Sequence, residues 1–115
     1  MENVFDTITM QAAHEKAVAA GKQAAQEISD QYFNGGDGGA CGFSWVNAEK
    51  TRANSKQGKA LASVGFRKDY TNSFQMWNKW WGGQSVDAGD AGAQAYARVF
   101  EAETGIKMYA GSRLD

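Results

Sequence analysis

Apolar residues recur at helical spacing over residues 6–32: Ile8, Ala12, Ala17 with Val18, Ala24 with Ala25, Ile28 and Tyr32, separated by Glu, Lys and Gln. The pattern predicts one long helix, with Asp6 or Thr7 placed to cap its start. Its apolar face is mostly alanine, which lets another backbone come close. Gly21 falls inside this helix at a cost of up to about 1 kcal/mol, tolerable in so long an element.

The period then changes. CGFSWVNA, residues 41–48, sets Cys41, Phe43 and Trp45 against Gly42, Ser44 and Val46, as in a strand with one bulky face. RANSKQGKALASVGF, from Arg52 to Phe66, returns to helical spacing. There Ala60, Leu61 and Val64 make a short stripe, Asn54 and Gln57 approximate a capping box, and Gly65 supplies a stop. SFQMWNKWW, residues 73–81, contains no turn residue and predicts a strand. Its expected faces are Phe74, Met76 and Trp80 on one side and Trp77 and Trp81 on the other. GGQS is a turn, and Ser85 or Asp87 can cap a helix over 87–104 striped by Ala88, Ala91, Ala95, Tyr96, Val99, Phe100 and Ala102. Gly105 ends it, and IKMYA, residues 106–110, reads as a last short strand. No internal repeat is visible. The α-β-α-β-α-β order predicts an α+β fold, one small domain over residues 1–115 in which a small mixed sheet is packed by three helices. Any parallel β-α-β passage would be right-handed, but strand order is not legible in the pattern.

Composition narrows the class without changing that picture. A chain of 115 residues with 43% apolar and 12% aromatic content has the make-up of a globular domain with a modest core, not of a disordered segment. No apolar run is long enough to cross a bilayer, and the start lacks the basic and apolar regions of a signal peptide. With Cys41 the sole cysteine, these features predict a cytoplasmic protein with no membrane contact and no internal disulfide. Fourteen glycines and no proline mean that the turns rest on glycine and on Asn/Asp side chains.

FNGGDGGACGFSW, residues 33–45, raises the question of a phosphate-binding loop. A dinucleotide loop places G-x-G-x-x-G between a strand and a helix. Here Gly36-Asp37-Gly38 begins the pattern, Cys41 occupies its sixth position, and the flanking elements come in the opposite order. Asp37 would repel phosphate, and no G-x-x-x-x-G-K-[ST] is present. The expected role is a flexible Gly-rich connector over 34–40 in which glycine supplies positive φ.

Candidate chemistry is sparse. One His and one Cys do not make a four-ligand site, and Asp87 with Asp90 is better explained by acids complementing a helix dipole than by Mg²⁺. No metal and no cofactor are predicted. Cys41 and His14 are the only nucleophile–base pair of their kind. Cys41 is expected to be a buried structural thiol because it alternates with Phe43 and Trp45, and His14 is expected to be solvated. These residues predict a non-enzyme. An enzyme built here would gather Arg52, Ser85 and Arg113 around an anionic substrate.

Charge adds the strongest feature. The net charge is −1, yet residues 1–49 carry two Lys against seven Asp/Glu and residues 50–68 carry six cations and no acid. Arg52, Lys56 and Lys59 flank the start of the second helix, and Arg67 and Lys68 follow it. With Tyr70, Trp77, Trp80 and Trp81 as stacking surfaces, the segment predicts nucleic-acid or nucleotide binding as one possibility. The near-neutral balance argues for the simpler account, neutralisation by the acidic first segment. Trp77 and Trp81 are core if both faces of their strand are covered, and otherwise anchors for a protein interface.

GGACGFSWV, RANSKQGKAL, GGQS and the terminal YAGSRLD together resemble a group of small phage and prophage open reading frames of unassigned function, over residues 39–115. The resemblance implies an intracellular phage product, a host-takeover or anti-defence inhibitor, or a minor virion component. Inhibitors of that kind bind a host protein or mimic a nucleic acid, and the Asp/Glu-biased first helix suits the second. The expected function is a non-enzymatic protein that engages a host or defence-system protein through the Trp77/Trp81 surface or through the basic segment. The binding residues would be Arg52, Lys56, Lys59, Arg67, Lys68, Trp77, Trp81 and Arg113, in a homo-oligomer or a partner-bound chain. Nucleic acid is the alternative partner.

Overall fold

A computed structural model describes residues 6–69 and 74–115. The long helix forms as its period demands: α1 spans Thr7–Tyr32, and the Asp6 carboxylate caps it by accepting from the Thr9 N–H at 2.7 Å. β1 (Gly42–Ala48) follows the Gly-rich connector. α2 (Lys56–Ala62) is capped by Ser55, whose hydroxyl accepts from the Gly58 N–H. Asn54 therefore lies one residue before the cap, and the Gln57 amide turns instead to Thr51 Oγ1. Two short strands come next, β2 (Arg67–Lys68) and β3 (Phe74–Trp77). α3 (Val86–Thr104) is capped by Ser85 and closed by Gly105 in the left-handed region, and β4 (Met108–Leu114) ends the chain's order.

The class is α+β: three helices and a four-stranded sheet of order β2-β3-β1-β4, with α3 directly on the sheet. All its pairings are antiparallel, so no parallel β-α-β crossover occurs. β3 stops at Trp77, short of the strand expected over 73–81, because Asn78 builds a turn. Its Oδ1 accepts from the Trp80 and Trp81 N–H groups and its Nδ2 donates to the Trp81 carbonyl. Ser73 and Tyr70 lie outside the described residues. β4 runs four residues past the end expected for it, because Gly111 opposite Trp45 leaves room for the indole to lie across the strand.

The molecule is layered sheet, α3, α1. α3 covers β1 and β4, and α1 packs on α3. The inward strand positions Ser44, Val46, Ala48, Phe74, Met76 and Met108 are buried beneath the helices. An aromatic cluster of Phe66, Phe74, Trp80, Tyr96 and Phe100, with ring centroids 5.5–6.4 Å apart, fills the centre. Trp80 is the wedge between the two long helices. Its Nε1–H donates to the Gly89 carbonyl at 2.7 Å. A Cβ built at Gly92 would lie 2.1 Å from Trp80 Cδ1, and one at Gly21 would lie 3.0 Å from both Trp80 Cβ and the Gly92 carbonyl oxygen. Gly21, a weak helix former, is therefore placed where two helices and an indole meet. Gly92→Ala is expected to destabilise by about 1–3 kcal/mol through overpacking. Gly82→Ala, with nothing within 4 Å, should stay within about 0.5 kcal/mol of the parent. Urea unfolding of the two variants checks the contrast.

Candidate binding surface

The alternation of β1 puts its bulky residues on the side the helices do not cover. Cys41 is exposed, not buried, because the odd-numbered positions of this strand face away from α3. Phe43 is 41% exposed, Trp77 45% and Tyr109 52%, which makes this side of the sheet an aromatic surface in water. The rings touch one another: Phe43 meets Trp77 edge-on at 5.9 Å, and Trp45 meets Trp77 at 4.9 Å. Trp45 is held down over Gly111, where an added Cβ would sit 2.4 Å from its Nε1. The Arg113 guanidinium lies 5.3 Å from the centre of the Phe43 ring, in cation–π range. Beyond the rings, Gln75 and Asn47 pair across β3 and β1 through a 3.1 Å side-chain hydrogen bond. No Asp or Glu occupies an outward position of the paired strands.

The expected site residues divide among several places. Trp77 and Arg113 belong to this face. Trp81 does not: the Asn78 turn carries it to the glycine loop, where its Nε1–H meets Asp37 and its ring is half-buried against the core. Arg67 is in register with Gln75, but its Nη1 donates to the Ala62 and Phe66 carbonyls and so serves the end of α2. Arg52 and Lys68 line a separate cleft of about 520 Å³ with Thr51 and Asn54. Lys56 and Lys59 lie exposed on α2. The basic segment thus forms no single patch beside the aromatic rings. Phe43, Trp45 and Tyr109 were missed as surface residues. Their signal was the odd-numbered alternation itself, whose direction depends on which side the helices take.

The Gly-rich connector is tied down. Gly35 and Gly39 have φ of +83° and +77°, the role expected of glycine there. The Asp37 carboxylate then accepts from the Gln84 N–H, the Trp81 Nε1–H and the Ser85 N–H, each at 2.8 Å. It staples the loop to the turn that starts α3. Donors that favour the charged form hold its pKa below the ordinary 3.8, the Gln84 N–H contributing most. His14 is likewise not fully solvated. It is half-buried, with Nδ1 2.8 Å from the hydroxyl of the fully buried Tyr96. Burial, helped by the nearby Lys79 charge, pushes its pKa below 6.5, and burial pushes that of Tyr96 up. Ser85 is buried and its hydroxyl accepts from the Ala88 N–H, a capping role.

Between the outer flanks of α1 and α3 runs a groove of about 690 Å³ whose lining includes Ile28, Tyr32, Asp87, Asp90 and Arg98. Asp90 accepts from the Gln94 amide, and Asp87 stands in the first turn of α3. Among the described residues there is no group of three or more His, Cys, Asp or Glu placed to hold a metal ion. No helix among them is long and apolar enough to cross a membrane. No family model, no curated protein and no solved structure matches the chain.

Two pH dependences follow from these contacts. The folded Asp37 carboxyl titrates below its unfolded value, so its contribution is complete above about pH 3.8 and is lost as pH falls through the lowered folded value. Asp37→Asn should lower the melting temperature at neutral pH and flatten this acid arm. Folded His14 resists the proton that the unfolded chain takes near 6.5, so stability should decline as pH falls below that point. His14→Gln should remove that decline. Melting temperatures recorded from pH 3 to pH 8 separate the two arms.

Proposed function

We propose that this chain is a non-enzymatic binding protein whose open sheet face docks a partner protein. The observation that carries this reading is the contact trio Phe43, Trp45 and Trp77 on the uncovered face, with Arg113 beside it. Aromatic residues and arginine supply most of the binding energy at protein interfaces, where they sit at the centre of a rigid patch. Phe43 and Trp77 are the anchors, Trp45 and Tyr109 the surround, and Arg113 the charged contact. With no acid at the outward strand positions, the complementary partner surface is apolar with an acidic rim. The resemblance to small phage reading frames makes a host or defence-system protein the class of partner, met in the host cytoplasm.

A second reading draws on the same rings. Phe43 and Trp77 beside Arg113 can also stack unpaired bases. Against it, Arg67 is engaged at the end of α2 and Arg52 with Lys68 occupies a separate cleft, so the backbone-neutralising charge stands apart from the rings.

The test uses the whole chain with Phe43→Ser and Trp77→Ser, singly and together. Two anchors of at least about 2 kcal/mol each predict a loss of partner affinity of roughly several hundredfold or more in the double variant. The double variant should stay folded with a modestly lowered melting temperature, since both side chains lie outside the buried core. Equal retention of host proteins by parent and double variant would remove the reading. Quenching of the tryptophans by a mixed-sequence single-stranded oligonucleotide that saturates and weakens steeply with salt would replace it with the second.

A further inference from the structure

β4 stands at the edge of the sheet with β1 on one side only. In an antiparallel pair, alternate residues exchange backbone hydrogen bonds with the neighbouring strand. The Glu49 N–H donates to the Lys107 carbonyl and the Asp115 N–H to the Cys41 carbonyl, so odd-numbered residues from 107 to 115 point their backbone groups at β1. The even-numbered residues Met108, Ala110, Ser112 and Leu114 therefore point theirs outward. Glu101 Oε1 accepts from the Met108 N–H at 3.2 Å. Among the described residues, no strand lies beside the amides and carbonyls of Ala110, Ser112 and Leu114.

An edge this long is a template for another strand, and proteins that avoid such pairing blunt it with proline or like charge. Here the side chains instead complement themselves. We propose that a second copy of this chain pairs antiparallel along β4, about a two-fold axis at Gly111, to form a continuous eight-stranded sheet. In that register Lys107 faces the partner's Asp115, Tyr109 faces the partner's Arg113, and Gly111 faces its own copy. All are on the open side. On the helix side Met108 meets the partner's Leu114. Leu114 is 66% exposed in the single chain. Across the axis it reaches the groove between α3 and β4, lined by Ala97, Ala102 and Met108 among others. Ala110 and the partner's Ser112 exchange the outward hydrogen bonds. A shift by two residues in one direction sets Lys107 against the partner's Arg113, and in the other leaves Arg113 opposite Gly111, so charge selects the central register. The axis runs perpendicular to the sheet. Both aromatic faces then lie on the same side, with the two Trp45 indoles flanking the axis.

Sedimentation over a concentration series from low micromolar to several hundred micromolar reads the state directly. The expected mass at the top is twice 12.4 kDa. Ser112→Pro deletes an outward N–H while leaving the ladder to β1 intact, a position where an edge strand tolerates proline. It should weaken dimerisation at least about tenfold with the melt of the monomer retained. Asp115→Lys turns two ion pairs into repulsions and should also cost about tenfold, and Lys107→Asp in the same chain should restore most of it. A zero-length carbodiimide cross-link between Lys107 and Asp115 in a mixture of ¹⁴N and ¹⁵N protein would join one light and one heavy peptide. A monomer mass throughout, or a dimer that Ser112→Pro leaves unchanged, overturns the proposal. The second outcome would mean that another surface, such as the aromatic face, makes the contact.

Discussion

The fold turns on one indole. Trp80 fills the space that glycine and alanine open between α1 and α3, and its Nε1–H binds the Gly89 carbonyl inside the helix it packs against. Small residues let two helices approach, but a surface of alanine alone buries little area per residue. One large side chain against Gly21 and Gly92 supplies area and fixes the spacing at once. Because Trp80 arrives from the turn after β3, the same contact locks both helices to the sheet. α1 is thereby held on the far side of α3 as a third layer. The long helices are both committed to one side, and on the other side Phe43, Trp77 and Tyr109 are left to water while Asn47 and Gln75 are buried.

This layering explains which sequence features were legible. The boundaries of α1 and α3 were, because Asp6, Ser85 and Gly105 act within a few residues of themselves through caps that the local sequence specifies, whereas α2 starts from Ser55 and not Asn54. The pairing of Phe74, Met76 and Trp80 as buried residues was also legible. The end of β3 was not: it depends on Asn78 accepting from two N–H groups, and an Asn in an aromatic run carries no mark of that role. The direction of β1 was not legible either. Alternation reports two faces but not which one the helices take, and the usual weighting of bulk assigned Cys41, Phe43 and Trp45 inward. In this strand Ser44, Val46 and Ala48 are buried toward the helices, and Asn47 is buried on the other side. Small inward residues suit a helix that itself presents glycine, as a Cβ on Gly89 would fall 2.7 Å from Ser44 Oγ.

The charge pattern separates in the same way. A run of six cations in nineteen positions looks like one patch only along the chain. In space Arg52 and Lys68 meet at one cleft, Lys56 and Lys59 stand on α2, and Arg67 is used to satisfy carbonyls at the end of a helix. Asp37 shows the converse. A carboxylate among four glycines reads as an obstacle to phosphate. It serves as the cap for three N–H donors, two of them backbone groups at the turn that leads into α3.

An exposed aromatic face is a liability for a small protein with a net charge of −1, since apolar patches and near-neutral charge both favour association. The rings on this face are not loose. Trp45 lies flat over Gly111, Trp77 is pinned between Trp45 and Phe43, and Arg113 covers part of Phe43. Such packing lowers the area shown to water and also removes rotamer freedom before any partner arrives. A partner that docks there has less side-chain entropy to offset, which is the condition under which a patch of a few residues binds well. The contacts that make the surface tolerable in the free chain are therefore the same ones that make it an efficient binding site. The glycine at 111 is central to both, because any side chain there would lift Trp45 off the sheet and loosen the trio.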